Sequence, residues 1–221
     1  MAGVAPHKEE IKELTEYLRT QVQKSTVRVV TGKEVTCAEI LEQQPDAVIV
    51  ATGASQAMPI IAGIDSARAV YAWDILGGRA EAGNRVVIIG GGMVGAETAE
   101  HLAAKGKKVT IVEMLPEIGT DMEPFSRTFL LERLRERGVK TLTSKRAVKL
   151  SGTGVQVLGV DGQTEVIDAD TIVVAVGSKP NEALYSGLKG RVPELYRVGD
   201  CKQPRRILEA LHEGTNAGCL V

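Results

Sequence analysis

Arg85-Val86-Val87-Ile88-Ile89-Gly90-Gly91-Gly92-Met93-Val94-Gly95-Ala96-Glu97 joins an apolar run of strand length to a glycine turn, and helix-forming sequence then continues to Lys105. A short unbroken apolar run that ends in a turn signal reads as a strand buried on both faces. Gly90, Gly92 and Gly95 fill a GxGxxG spacing. In that pattern the first glycine permits the tight turn, the second lets backbone approach a pyrophosphate, and the third lets helix pack closely on strand. The phosphates then lie against free N–H groups at the positive end of the helix. Gly90, Gly91, Gly92, Met93, Val94 and Gly95 are therefore the expected phosphate-binding segment. Glycines are common in turns, so the spacing alone decides little. Its setting between a strand and a helix decides more.

The next strand reads as Lys108-Val109-Thr110-Ile111-Val112 and ends in Glu113, 18 residues beyond Gly95. That is close to the interval of about 20 at which a carboxylate holds the adenosine ribose. Glu113, with Met114 beside it, is expected to accept hydrogen bonds from both ribose hydroxyls of NADH. It should repel the 2′-phosphate of NADPH, because two anionic groups so close cost free energy in a poorly screened site. Lys107 and Lys108 are near enough in sequence to soften that discrimination. The alternative is a purely structural βαβ turn, with Glu113 a solvated strand-end acid.

A chain of 221 residues suits one large or two small domains, on a prior of about 150 residues each. With 43% hydrophobic and 25% charged residues it resembles soluble globular proteins that bury a core. Lys plus Arg number 27 against 28 Asp plus Glu, and aromatics are only 3%. This balance points to neither nucleic acid nor an anionic membrane as partner. No apolar stretch approaches the ~20 residues of a membrane span, and the N-terminus lacks a signal-peptide pattern. Cys37, Cys201 and Cys219 are widely spaced, which suggests neither a disulfide framework nor a metal site. A cytoplasmic location is the expectation, and the absence of CxxC argues against a dithiol–disulfide reductase.

Around the glycine turn the pattern predicts a surface helix over residues 7–23, a short strand over 26–31 and one or two helical turns over 37–44. A buried strand over 46–51 follows and runs into Thr52-Gly53. Residues 55–65 read as a crossover between domains, and 72–77 as a short helix. A helix is predicted from Pro124 to Arg137, with Phe129, Leu130, Leu131 and Leu134 on its apolar face and Gly138 as C-cap. Residues 140–170 alternate as antiparallel strands do, with Asp161-Gly162 at a hairpin tip. Residues 170–177 form another buried strand, whose Ala175-Val176-Gly177 echoes Ala51-Thr52-Gly53. A strand over 194–200 ends in Gly199-Asp200, and a terminal helix starts near Arg205.

Four marks together resemble the two-dinucleotide flavoprotein oxidoreductases, in which an NAD(P)H domain is inserted into an FAD domain. They are Ala51-Thr52-Gly53, Gly90-x-Gly92-x-x-Gly95-x-Glu97, Ala175-Val176-Gly177-x-x-Pro180 and Val198-Gly199-Asp200. The stretches from Val109 to Pro124 and from Arg205 to Gly214 look more closely like the C-terminal region of the NADH:flavin oxidoreductases, a group that includes 2-enoate reductase and 2,4-dienoyl-CoA reductase. The resemblance implies an α/β fold: a Rossmann-like NAD(P)-binding domain with a parallel sheet and an antiparallel β-meander, inserted in a truncated FAD-binding domain. Residues 57–187 would form the NAD(P)H-binding domain, and 1–56 with 188–221 an incomplete FAD-binding domain. Family members also carry an N-terminal barrel with FMN and an iron–sulfur cluster, then a first GxGxxG that grips FAD. Neither is found in these 221 residues, so the barrel and the first half of the FAD domain are the expected partners.

The resemblance further places Asp200 on the FAD ribityl chain, with Gly199 giving the cofactor access to backbone, and puts Thr52 and Gly53 where the chain passes close to FAD. The plainer reading of Asp200 is a helix cap. Glu97 falls in the first turn of the cofactor helix, where its charge suits the dipole; the resemblance adds a position near the nicotinamide carboxamide, and Val176 and Gly177 border the same cofactor. Tyr185 and Lys189 match a Tyr-x-x-x-Lys pair, but Gly187 is expected to interrupt the helix such a pair needs. No catalytic side chain is assigned, since His7, His101 and His212 share no local cluster with a Ser or Cys. The expected function is an NADH-binding module that passes hydride to FAD in a longer enzyme acting on enoate or enoyl-CoA double bonds. The alternative is a regulatory or structural site for ADP or NAD without turnover.

Overall fold

The structure, a computed structural model, describes residues 2–65 and 69–221. In chain order its elements begin with α1 (Glu10–Lys24), α2 (Cys37–Glu42), β1 (Ala47–Val50), β2 (Ala54–Gln56), β3 (Ala69–Tyr71) and α3 (Ala72–Leu76). There follow β4 (Arg85–Ile89), α4 (Met93–Ala104), β5 (Lys108–Val112), α5 (Pro124–Glu136), β6 (Lys140–Leu142), β7 (Lys145–Ser151), β8 (Gly154–Gly159) and β9 (Thr164–Asp168). The last are β10 (Thr171–Val174), β11 (Ser178–Pro180), α6 (Ala183–Leu188), β12 (Glu194–Arg197) and α7 (Ile207–Gly218).

The chain divides into two compact units, residues 1–26 with 57–177 and residues 27–56 with 178–221. The first is three-layered. Its central sheet is parallel throughout, in the order β3-β10-β4-β5-β6. Side chains alternate across a strand, and β4 shows why its sequence is apolar without a break. Val86 and Ile88 pack with Ala96, Ala99 and Leu102 of α4 and Leu130 and Leu134 of α5. Val87 and Ile89 face the other way, onto Leu150, Val155 and Val157 of the antiparallel meander β7-β8-β9. A fully buried Ile or Leu contributes about 1.5–3 kcal/mol, so both faces of β4 hold the unit together.

Gly95 sets the distance between α4 and β4. A Cβ there would overlap the carbonyl oxygen of Gly90, and a Cβ at Gly90, where φ is +101°, would overlap that of Ala175. Gly138, with φ +70°, ends α5 as expected. Leu130 and Leu134 are buried, but Phe129 is 59% exposed and lies off the apolar face.

In the second unit β1 and β12 form a parallel pair and β2 and β11 an antiparallel one. Its small core gathers Val50, Leu188 and Cys201 with Ile40, Leu41 and Leu184. The strand predicted over 46–51 is present but only Val50 is buried, and Ile49 is 38% exposed. A strand with one partner leaves the rest of its surface open. The strand predicted over 26–31 does not form; Val29 and Val30 are exposed. β-Branched residues favour a pleated, half-buried surface rather than extended chain as such, and among the described residues no strand pairs with this segment.

These units are cut differently from the domains expected over 57–187 and over 1–56 with 188–221: residues 1–26 cluster with the larger unit, and its second boundary falls at 177/178. One further expectation needs correction. Gly187 does not interrupt α6, which runs through it to Leu188. A Cβ at Gly187 would stand 2.6 Å from the Cys37 Sγ, so packing against α2 explains the glycine.

Gly95→Ala should lower stability by about 1–3 kcal/mol, as overpacking does, while Gly92→Ala should stay within about 0.5 kcal/mol of the unmodified chain. Urea denaturation of the two variants checks this. Equal stabilities would mean that α4 does not need its close approach.

Candidate dinucleotide-binding site

The glycine turn, Glu113 and the Ala175–Gly177 segment follow β4, β5 and β10, three adjacent parallel strands. Ligands of open α/β sheets bind at this carboxyl edge. A cavity of about 460 Å³ lies there, bounded by Gly90, Gly92, Met93, Val94, Glu113, Met114, Val176 and Gly177, with Ile60, Asp121 and Arg146 on its other walls. The fold thus brings most of the residues predicted in this half of the chain to one cavity, but not Glu97, which lines a separate hollow with His7, Lys8 and Arg133. A larger hollow of about 790 Å³ against α5 shares none of them.

Gly91 N–H donates to Glu113 Oε2 at 2.6 Å, and Leu115 N–H to Oε1 at 2.8 Å. Glu113 is only 8% exposed. It is therefore not a solvated strand-end acid: it ties the glycine turn to the end of β5. Each carboxylate oxygen retains a further lone pair. At the helix start, Met93 N–H donates to Asp121 Oδ1 at 2.8 Å. Among the described residues the amides of Gly92, Val94 and Gly95 have no acceptor. Of these three residues Gly92 and Val94 line the cavity, while Gly95 is buried against β4.

Asp121 was not legible as a site residue. It comes from the loop after β5, which Gly119 N–H fastens to Gly91 O at 2.7 Å. Arg146 was missed as well; it is exposed at the second residue of β7. The only sequence signal for either was a charged residue near a predicted strand or helix end.

Glu97 lies one turn inside α4 rather than at its start, and is 7% exposed. Lys8 donates to its Oε1. The ammonium of Lys8, more than the distant helix dipole, compensates its charge. Next to it Glu100, 1% exposed, accepts from Arg133 and stands 3.7 Å from the His7 ring nitrogen. Burial pushes the Glu97 carboxyl above its usual pKa. Lys8 opposes this, while the charges of Glu100 and Asp121 add to it.

In the second unit Thr52-Gly53 and Gly199-Asp200 follow the paired strands β1 and β12, so the fold also places these four at one sheet edge. Thr52 Oγ1 donates to Asn181 O, and Asn181 Nδ2 returns a bond to Thr52 O at 3.1 Å. Gly53 has φ +68° with open space where a Cβ would be. Asp200 accepts from Arg205 N–H at 3.2 Å, two residues before α7, whose N-cap is Arg206, so Asp200 does not cap that helix. Gly199 N–H donates to Glu213 at 2.8 Å. Lys202 and Arg205, with that backbone bond, hold the Glu213 carboxyl down at about 2. Among the described residues no cluster of His, Cys, Asp or Glu is arranged to hold a metal. None of their helices is long and apolar enough to cross a membrane.

The parallel sheet, meander and phosphate-type turn define a Rossmann-like nucleotide-binding class. Residues 2–218 match the model of the pyridine nucleotide-disulphide oxidoreductases, and the chain belongs to that family. It is 34% identical over 219 residues to the NADH oxidase of Thermoanaerobacter brockii, covering 97% of this chain and 34% of that protein. It is 31% identical over 213 residues to the cinnamate reductase of Clostridium sporogenes, covering 95% and 31%. The structure of a 2-naphthoyl-CoA reductase in complex with 2-naphthoyl-CoA superposes with a TM-score of 0.90 at 30% identity, over 96% of this chain and 32% of that one. The chain thus spans about a third of the length of these relatives. All three cysteines are free thiols.

Glu97 gives a test of the site's electrostatics. Its proton is held more tightly in the folded chain than in the unfolded one, so stability falls as pH rises from the ordinary value of 4.5 through the raised folded value. Glu97→Gln should abolish that loss. Its stability relative to the unmodified chain should improve steadily between about pH 4 and pH 7, measured by urea denaturation at each pH. A difference independent of pH would show that Glu97 titrates alike in both states.

Proposed function

We propose that this chain is the NADH-binding module of a flavin-dependent oxidoreductase, which holds NADH for hydride transfer to FAD. One observation carries the reading: unpartnered amides at the N-terminus of α4 open on the 460 Å³ cavity beside Glu113, in a chain whose family binds FAD and NAD(P)H. Gly92 supports the fit. Where its Cβ would be, no backbone atom is among the nearest neighbours; they belong to the exposed side chain of Asp121, at 3.2 Å and beyond, which must move before a phosphate reaches this backbone.

The chemistry supplied by the bound pair is hydride transfer from nicotinamide to flavin; the protein contributes position and electrostatics. Gly92 and Val94 offer N–H groups to the pyrophosphate. Glu113 keeps the turn in shape through Gly91 and presents its remaining lone pairs to the adenosine ribose. Met114, Val176 and Gly177 bound the cavity. Glu97, paired with Lys8, is assigned to the carboxamide end of the nicotinamide. Thr52, Gly53, Gly199 and Asp200 are assigned to FAD, which is completed by parts of a longer protein. By analogy with the cinnamate and 2-naphthoyl-CoA reductases, that protein reduces an enoate- or enoyl-CoA-type C=C bond, with the substrate held by a barrel bearing FMN and an iron–sulfur cluster.

Titration of the chain with NADH, NADPH and ADP tests this. NADH should bind more tightly than NADPH, and Glu113→Ala should remove the preference. NADH should also bind more tightly than ADP, because a site built for turnover gains from a held nicotinamide. Gly92→Val should abolish binding of all three with the fold retained, since its branched side chain enters the phosphate position. Equal affinity for NADH and ADP would instead favour a nucleotide site without turnover.

A further inference from the structure

We propose that Asp121 is a built-in competitor for the phosphate-binding turn: in the free chain its carboxylate holds an anion position at the start of α4, and an incoming dinucleotide must displace it. The inference rests on the dinucleotide reading above and adds what sets the affinity of that site.

The Met93 N–H is the first amide of α4, where the positive end of the helix is concentrated, and it donates to Asp121 Oδ1 at 2.8 Å. The three atoms nearest to a Cβ built on Gly92 all belong to the Asp121 carboxylate, the closest at 3.2 Å. The space left by the second glycine of the motif, where a phosphate should approach, therefore faces a negative charge. Asp121 is brought there by the turn at Gly119, whose N–H is fastened to Gly91 O.

Glu113 and Asp121 both accept from the glycine turn, but they are held very differently. Glu113 is buried and receives two backbone N–H groups. Asp121 is exposed and receives one. Among the described residues no Lys, Arg or His lies within ion-pair distance of Asp121, and its charge adds to the raised pKa of nearby Glu97. An exposed carboxylate can swing into water without a desolvation cost, and it has no second partner to keep it. It satisfies the Met93 amide when the site is free, and opposes the phosphates by like-charge repulsion until it leaves.

The test compares NADH binding by the unmodified chain, Asp121→Asn and Asp121→Ala, by calorimetry at low and high salt. Asp121 is exposed, so both variants should melt as the unmodified chain does. Both should bind NADH about tenfold more tightly at low ionic strength, as expected for removing one close like charge. The gain should shrink as salt screens the repulsion. If the unmodified chain binds NADH and the two variants bind it equally or less well, Asp121 is not a competitor and the inference falls alone. If none of the three binds NADH, the dinucleotide reading falls and this inference with it.

Discussion

The closeness of Gly95 to the Gly90 carbonyl is the contact on which the first unit depends. It lets α4 start directly over the end of β4 and aims the first amides of that helix along the carboxyl edge of the sheet. A side chain at Gly95 would push the helix off the strand, and with it the Ala96, Ala99 and Leu102 stripe that covers Val86 and Ile88. The same approach therefore closes the helical layer and sets where the first amides of α4 point. In this unit stability and the geometry of that helix start are one constraint.

Around those donors the chain has placed three carboxylates, and each is balanced by a different means. Glu113 is neutralised by backbone amides, Glu97 by the ammonium of Lys8, and Asp121 by a single amide and by water. A helix N-terminus attracts negative charge, so acidic side chains gather there for the same reason that a phosphate would. The first is fixed in the architecture. The second is buried at a cost that its pKa records. The third is held least, and is the one placed where the glycines clear a path.

The parallel sheet, its helices and the meander were legible because they rest on local signals. β4 is an unbroken apolar run, α4 opens at a glycine turn, and the tip of the β8–β9 hairpin falls at Asp161-Gly162. The glycine turn and Glu113 were legible for the same reason, since their spacing is a property of one βαβ unit. Residues 26–31 misled because β propensity says nothing about whether a partner strand exists. Gly187 misled because its cause is the Cys37 side chain, 150 residues away in sequence. The partners of the buried acids were hidden in the same way. Lys8 reaches Glu97 across 89 positions, and Asp121 reaches Met93 across 28. Such contacts exist only once the layers have packed.

The echo between Ala51-Thr52-Gly53 and Ala175-Val176-Gly177 also has a structural reason. Each tripeptide follows a parallel strand, β1 or β10, and each ends in a glycine of positive φ, +68° at Gly53 and +101° at Gly177. Backbone in that region turns away from the strand direction, a course that side-chain-bearing residues resist. The segments that follow, β2 and β11, then pair antiparallel, Ala54 opposite Pro180 and Gln56 opposite Ser178. Pro180 has no N–H to give to such a ladder and is tolerated at the end of a short edge pair. These two short segments of the second unit thus satisfy each other's backbone groups. A parallel strand that ends in such a change of course needs a glycine there, and the repeated Ala-x-Gly meets that need twice.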